Sequence, residues 1–339
     1  MKTNKLDVYK TKRIYFIDYM RAFCMLWIIA FWHMCEYCDI LLTKYHWANN
    51  LTIGVLGTFT LISGFFCGCK DFNTSKTVAS FYKRRFIRIY PLFFLSCTTL
   101  YLLHIVNAQI SYISSLKQFM YTLLGITTFM QPTSYTVWYI SMLLLLYLIS
   151  PFLQYKTKYM FEICMRMLFV YLIVCIWYVV IGCDARILYL YPMFFLGLLC
   201  GSKRNNIRNV SNIGVQALAI YFILSISIFS VFLFIRTSSS QIINVITNII
   251  ISISVSGCIG IISIILSIFL KCVLIRKCLE VVSIGSFVAY LFHRQFFGAI
   301  YLIIGNYPYS LAYFVILPGL VIGSYVIQKQ YDYLIEKLN

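Results

Sequence analysis

Four ionisable side chains lie inside the first long apolar run of the sequence, residues 15–38: Asp18, Arg21, His33 and Glu36. Ionisable groups are costly inside a membrane, so such residues indicate either a function or an internal partner. Asp18 and Arg21 are three residues apart and share one helix face, where they can neutralise each other as an ion pair. This interpretation makes the pair an anchor for the inner end of the helix.

His33 is the residue of this run best suited to acid–base chemistry. If the helix starts at residue 15, His33 lies about 27 Å along its axis, near the outer membrane surface. Glu36 follows about one turn later, where it can orient the imidazole or accept its proton. The residues alone leave two interpretations open for His33, a general base and a packed polar side chain.

The same segment also contains Cys35 and Cys38, which together with His33 and Glu36 resemble a set of metal ligands. These four residues are distributed around a single helix, whereas a tetrahedral metal site needs ligands that converge from several directions. We therefore predict no metal site in this segment.

Two further pairs of residues indicate binding chemistry. Arg85 and Arg88 begin the third apolar run and share a helix face, and two guanidiniums placed in this way can clamp a phosphate group. The alternative is a collar of positive charge that only orients the helix. His293 and Arg294 lie well inside the ninth apolar run, so we expect this pair to face a polar cavity.

The composition of the chain shows which kind of scaffold positions these residues. Of the 339 residues, 61% are hydrophobic and 11% are charged, and the mean hydropathy is +0.85. Soluble globular proteins contain about 45–50% apolar and about 25% charged residues, so a soluble enzyme and a disordered chain are both excluded.

The apolar runs predict an all-α fold, a polytopic membrane bundle of about ten transmembrane helices. A shorter apolar stretch, residues 118–131, is interrupted by Gly125, and we expect it to be interfacial or re-entrant. The ten runs are approximately 15–38, 52–68, 88–106, 137–153, 167–182, 188–201, 213–235, 242–270, 280–304 and 309–328.

The distribution of basic residues predicts the orientation of these helices. With the N-terminus inside, 22 of the 28 Lys and Arg residues fall in cytoplasmic segments and only Lys44, Lys117, Arg186 and Arg236 fall outside. Cytoplasmic loops of membrane proteins are enriched in Lys and Arg, so both termini are expected to be cytoplasmic. The net charge of +18 is explained in the same way and does not indicate a nucleic-acid partner.

Taken in order, five segments of the chain resemble the acyltransferase-3 family of integral membrane O-acyltransferases. The resemblance implies about ten helices, a cytoplasmic acyl-CoA donor and transfer to a hydroxyl of an extracytoplasmic glycan. It also implies that His33 is the essential histidine of the first helix and that Arg85 and Arg88 bind the donor. The five segments are Ile17–Arg21, Leu61–Phe66, Arg85–Pro91, Val137–Tyr139 with Tyr147 and Pro151, and Ser286–His293.

The spacing in the first segment departs from the family pattern, in which the histidine usually lies eleven residues after the arginine. Here Trp32 occupies that position and His33 lies twelve residues after Arg21. At about 100° per residue, eleven residues return to within about 20° of the arginine, but twelve fall about 120° away. Either the helix carries a local bulge, or His33 faces a different direction.

These observations lead to one functional expectation, a bacterial inner-membrane O-acetyltransferase with a single domain over residues 1–339. In this interpretation His33 deprotonates the acceptor hydroxyl or relays the acyl group, while His293 or Arg294 lines the acceptor side. The protein would hold no permanently bound cofactor and would use acetyl-CoA or another acyl-CoA as donor substrate. Its partners would be this donor, a glycan or lipid-linked glycan, and membrane lipid.

The alternative is a transporter or exporter of a glycan or a small molecule. Such proteins are typically built from two related halves with broken helices at the membrane midplane. The sequence shows no internal repeat of this kind.

Overall fold

The protein is described by a computed structural model that covers residues 14–38, 42–107, 113–130, 136–157, 159–202, 225, 226, 228, 240–270 and 272–338. Every regular element within these residues is helical, so the predicted all-α fold class is confirmed. In chain order the helices are α1 (Tyr15–Leu26), α2 (His46–Gly68), α3 (Ser75–Val106), α4 (Leu116–Leu123), α5 (Trp138–Gln154), α6 (Met160–Ile181), α7 (Arg186–Ser202), α8 (Gln241–Phe269), α9 (Val273–Ile304) and α10 (Tyr309–Leu311 and Leu317–Leu338, joined by a π-helical turn, Ala312–Ile316).

Seven helices in the described part of the chain are long and apolar enough to cross a membrane. Two more, α5 and α7, are apolar but have only 17 residues each. The chain is therefore a multi-pass membrane protein. Nine of the ten predicted runs coincide with helices, while the run 213–235 lies almost entirely outside the described residues. The eight-residue α4 is too short to cross a membrane, in agreement with the interpretation of residues 118–131 as interfacial or re-entrant.

The start of α3 is fixed by a capping box, which sets the position of the basic residues that follow. The Thr74 hydroxyl accepts a hydrogen bond from the Thr77 backbone N–H at 3.3 Å, and the Thr77 hydroxyl accepts one from the Thr74 N–H at 3.4 Å. These bonds satisfy N–H groups that would otherwise lack a partner at the helix start. Arg85 and Arg88 then follow about three turns into α3.

Helices α2 and α7 approach each other at backbone distance through glycines. Gly64 and Gly68 of α2 lie against α7, and Gly197 and Gly201 of α7 lie against α2. A Cβ atom added to Gly64 would lie 2.0 Å from the carbonyl oxygen of Phe194. Two small residues four positions apart allow this close packing of membrane helices. The contact holds α7, which begins at Arg186, against α2.

We predict that Gly64→Ala destabilises the protein by about 1–3 kcal/mol, because the added methyl group overpacks the α2–α7 interface. The melting temperature in detergent, monitored by size-exclusion chromatography after heating, measures the effect. Gly323→Ala is the matched control, since an added Cβ atom there meets nothing within 4 Å. Equal melting temperatures for the two variants would contradict the close approach of the two helices.

The asymmetry of basic residues generates a second prediction, about topology. Reporter fusions after Arg88, Arg166 and Lys277 are expected to report the cytoplasm, and fusions near Lys44 and Arg186 the opposite side, because Lys and Arg accumulate in cytoplasmic loops. Paired phosphatase and fluorescent-protein reporters at each position supply the measurement. A cytoplasmic signal at Arg186 would contradict the predicted arrangement of the spans.

Candidate functional site

The first helix changes its winding just before His33. α1 continues directly into a π-helical turn, Trp27–His33, and then into a 3₁₀ turn, Met34–Cys38. A π turn closes hydrogen bonds over five residues instead of four, so it absorbs one extra residue. Of the two geometries that the twelve-residue spacing allows, the structure therefore has the local bulge. It leaves Arg21 and His33 both facing α9, where Arg21 contacts Ser286 and His33 contacts Arg294.

Four of the predicted site residues meet in the part of this α1–α9 interface that follows α1 along the chain: His33, Glu36, His293 and Arg294. The Arg294 guanidinium donates to both oxygens of the Glu36 carboxylate, at 2.5 Å from Nη1 to Oε2 and 3.1 Å from Nη2 to Oε1. The His33 and His293 rings stack with 4.9 Å between their centroids. We refer to these four residues as the His–Glu–Arg cluster.

The nitrogen Nδ1 of His33 has two neighbours with opposite requirements. It lies 3.5 Å from Oε1 of Glu36, which can accept a proton from it, and it also contacts Nη2 of Arg294. Arginine is only a donor, so the Arg294 contact places the imidazole proton on Nε2, whereas the Glu36 contact places it on Nδ1. The tautomer of His33 therefore depends on which of the two partners holds Nδ1.

His293 and Arg294 lie deeper than His33 within the cluster. His293 is fully buried and Arg294 is 5% exposed. Nδ1 of His293 lies 2.7 Å from the carbonyl oxygen of Tyr290, to which it can donate, and Nε2 has no hydrogen-bond partner among the described residues. These contacts suit residues that position His33. Acceptor binding by His293 and Arg294 stays a prediction.

Asp18 and Arg21 are not part of the cluster, because they lie at the other end of the same interface. Oδ1 of Asp18 accepts a hydrogen bond from the Ser283 hydroxyl at 2.9 Å, and Nη2 of Arg21 donates to the Ser286 hydroxyl at 2.9 Å. Along the helix axis, Arg21 lies about 18 Å before His33. These bonds fasten α1 itself to α9.

The structure places Arg85 and Arg88 in the wall of a cavity of about 490 Å³. Three further cationic residues, Arg21, Lys70 and Arg84, line the same cavity, with Asp71 as the acidic residue of its wall. An excess of positive charge in an enclosed space favours a ligand with several negative charges. We call this space the basic cavity.

Aromatic rings hold Arg85 in place within the basic cavity. Its guanidinium lies 4.3 Å from the centre of the Tyr147 ring and 5.4 Å from that of Phe81. Partial desolvation, and then the neighbouring charges of Arg84 and Arg85, lower the pKa of Lys70. The sequence alone predicts Lys70 and Arg84 only as basic residues of a cytoplasmic segment. Arg84 is adjacent to Arg85 in the sequence, but Lys70 lies far from both predicted arginines along the chain, so no local pattern indicates its part in this cavity.

A second cavity, of about 250 Å³, has His33 in its wall, and we call it the aromatic cavity. Tyr290 of α9 lines both cavities, so the two spaces approach each other within the helix bundle. The Tyr290 hydroxyl donates to the carbonyl oxygen of Thr136 at 2.8 Å, and its ring contacts that of Tyr139, which lines the basic cavity. The other aromatic residues of the second cavity are Trp32, Trp138 and Tyr189.

Within the described residues, no three His, Cys, Asp or Glu side chains come together as a metal site. The His–Glu–Arg cluster places an imidazole, a carboxylate and a guanidinium beside the aromatic cavity. The basic cavity lies next to the aromatic cavity, at Tyr290.

Comparison with known proteins gives one match. The model of an acyltransferase domain, that of the acyltransferase-3 family, matches residues 14–329 and so includes all five segments of the predicted resemblance. No curated protein and no solved structure matches the chain.

Proposed function

The chain belongs to the acyltransferase-3 family, and on this premise we propose that it moves the acyl group of a cytoplasmic acyl-CoA to a hydroxyl of an extracytoplasmic or lipid-linked surface polysaccharide. Family membership and the apolar helices make it a membrane acyltransferase. The finer assignment is an acetyl-CoA-dependent O-acetyltransferase of a bacterial inner membrane, with one domain over residues 1–339. One observation carries the proposed transfer between two substrates: two cavities of different chemistry approach each other at Tyr290, with His33 on the second.

In this proposal the basic cavity binds the phosphates of CoA. Arg85 and Arg88 supply planar guanidiniums that pair with phosphate oxygens through two parallel hydrogen bonds. Lys70 and Arg84 add charge at the same wall, and the neutralisation of Lys70 by a phosphate would counter the effects that lower its pKa. The pantetheine arm then extends past Tyr290 toward His33.

The acyl transfer itself is proposed to follow general-base catalysis. The acceptor hydroxyl gives its proton to Nε2 of His33 while its oxygen attacks the carbonyl carbon of the thioester. The tetrahedral intermediate collapses with formation of the ester and cleavage of the carbon–sulfur bond. The CoA sulfur leaves as a thiolate and takes the proton from the imidazolium. The donor is consumed as a substrate, so no permanently bound cofactor is required.

Glu36 has a defined part in this scheme. Nε2 of His33 accepts a proton only when Nδ1 carries the other one, which requires the Glu36 carboxylate as the Nδ1 partner. The same carboxylate then stabilises the imidazolium that forms during the attack. Arg294 holds the carboxylate in place by donating to both of its oxygens. The membership of the chain in an acyltransferase family favours this scheme over a transporter.

The donor site generates one prediction. Arg85→Lys and Arg88→Lys keep the charge but lose the forked donor geometry, so we expect each to weaken acetyl-CoA binding by roughly tenfold. Calorimetric titration of the purified protein in nanodiscs with acetyl-CoA measures the affinity. Arg166→Lys is the matched control, because Arg166 is bound to the carbonyl oxygens of Phe152 and Tyr155 outside the basic cavity. If both lysine variants bind like the wild type, the arginines are only a collar that orients α3.

The His–Glu–Arg cluster generates a prediction about catalysis. We expect His33→Ala to lower the rate of acyl transfer by about 10²–10⁴-fold with unchanged acetyl-CoA affinity, because a general base contributes about that much. Glu36→Gln is expected to cause a smaller loss that does not add to that of His33→Ala, since the two residues act as a unit. The release of CoA thiol per mole of folded protein is the measurement.

His104→Ala, in which the histidine near the end of α3 is removed, controls for a general effect of losing a membrane histidine. Full specific activity of His33→Ala would exclude His33 as the base and direct attention to His293. A lower yield of folded protein with normal specific activity would indicate a packing role.

A further inference from the structure

The geometry of the aromatic cavity points to a binding site for one neutral sugar ring, stacked on Trp32 and hydrogen-bonded to Thr136; this inference rests on the proposed function and names its acceptor class. Pockets that enclose drug-sized ligands occupy about 300–1,000 Å³. The aromatic cavity, at about 250 Å³, is smaller and suits one ring of a glycan, with the remainder of the chain outside.

Among the Trp and Tyr residues of this cavity, Trp32 is the most exposed. It is partly exposed, whereas Trp138 and Tyr189 are 5% and 6% exposed. One face of the Trp138 ring is already covered by the Arg186 guanidinium, 3.7 Å from its centre. A large, rigid ring that lines a cavity and is partly exposed is suited to cover the apolar C–H face of a sugar.

The π-helical turn is what brings Trp32 to this position. Trp32 and His33 are consecutive in the sequence, yet both line the aromatic cavity. The π turn, Trp27–His33, contains both side chains. A ring stacked on Trp32 would therefore present its hydroxyls beside the imidazole of the neighbouring residue.

Thr136 supplies an independent sign that the cavity receives a polar ligand. Its side chain lines the cavity, and the residue is 3% exposed. Its hydroxyl has no hydrogen-bond partner among the described residues. A buried hydroxyl without a partner costs free energy, and a hydroxyl of a bound sugar would satisfy it.

The charges at the cavity wall favour a neutral ring over an acidic one. The cationic residue of the wall is Arg186, and its guanidinium already pairs with the Asp184 carboxylate, with Nε 2.8 Å from both oxygens. An acidic sugar would compete with Asp184 for this guanidinium and would approach the Glu36 carboxylate near His33. A neutral hexose, deoxyhexose or N-acetylhexosamine meets neither obstacle.

The experiment uses the full chain in nanodiscs and simple sugars as probes. The probes are the methyl glycosides of glucose, rhamnose and N-acetylglucosamine, with methyl glucuronide as the charged comparison and sorbitol as an acyclic polyol. Saturation-transfer NMR measures binding without acyl-CoA, and mass spectrometry measures acyl transfer with it. We expect at least one neutral glycoside to bind and to be acylated, in preference to both comparison compounds.

Four variants locate the site. Trp32→Ala is expected to raise the KM for the glycoside by about tenfold with a smaller change in kcat, since truncation of an aromatic anchor removes mainly binding energy. Trp32→Phe should recover most of the affinity. Thr136→Val should raise the KM roughly threefold to tenfold. Phe31→Ala, which removes an exposed ring of the same π turn, should leave the KM unchanged.

The outcomes separate the two proposals. Absence of CoA release with any acceptor, while a neutral glycoside still binds through Trp32, would overturn the proposed function and leave the sugar site standing. Acyl transfer with a wild-type KM in both Trp32→Ala and Thr136→Val would overturn the sugar site alone. A preference for methyl glucuronide would overturn the assignment to a neutral ring, as would a failure of all the neutral glycosides to bind.

Discussion

The burial of one guanidinium inside an apolar helix bundle is the constraint on which the site depends. The side chain of Arg294 is 6% exposed, and its charge is balanced by Glu36, which lies 258 residues earlier in the chain. A buried charge that loses its partner costs about 3–5 kcal/mol. Separation of Glu36 from Arg294 would therefore strongly destabilise the packing of the first helical segment against α9. His33 contacts both partners through Nδ1, and its position follows from theirs.

The interface between α1 and α9 extends this constraint along the length of both helices. At one end, Asp18 and Arg21 bind hydroxyl groups of α9, and at the other end the His–Glu–Arg cluster completes the contact. A regular helix would turn His33 away from α9 after twelve residues, so the π turn is the condition for having both ends engaged at once. Tyr290, on α9 between the two levels, then lies at the border of both cavities.

The two cavities differ because the elements around them differ. The basic cavity is built where α3 begins, at the side of the bundle expected to face the cytoplasm, and positive charge accumulates there for reasons of both orientation and binding. The aromatic cavity is built from uncharged and aromatic side chains and one compensated ion pair. A polyanionic donor and an uncharged acceptor that approach from opposite sides would each meet the chemistry they need, with the imidazole of His33 on the acceptor side.

The sequence by itself determined the membrane class, nine of the helices and the family, since hydropathy, charge and short motifs are local properties. The roles of the site residues stay predictions. The sequence did not determine that His33 and Glu36 meet Arg294, that Lys70 joins Arg85, or that Trp32 shares a cavity with Thr136. These contacts were decided only by the tertiary structure, because no local pattern specifies which faces of distant helices meet. The spacing from Arg21 to His33 was compatible with a local bulge or with a different direction for His33. The tertiary structure has the bulge, a π turn, and with it His33 and Glu36 both contact Arg294.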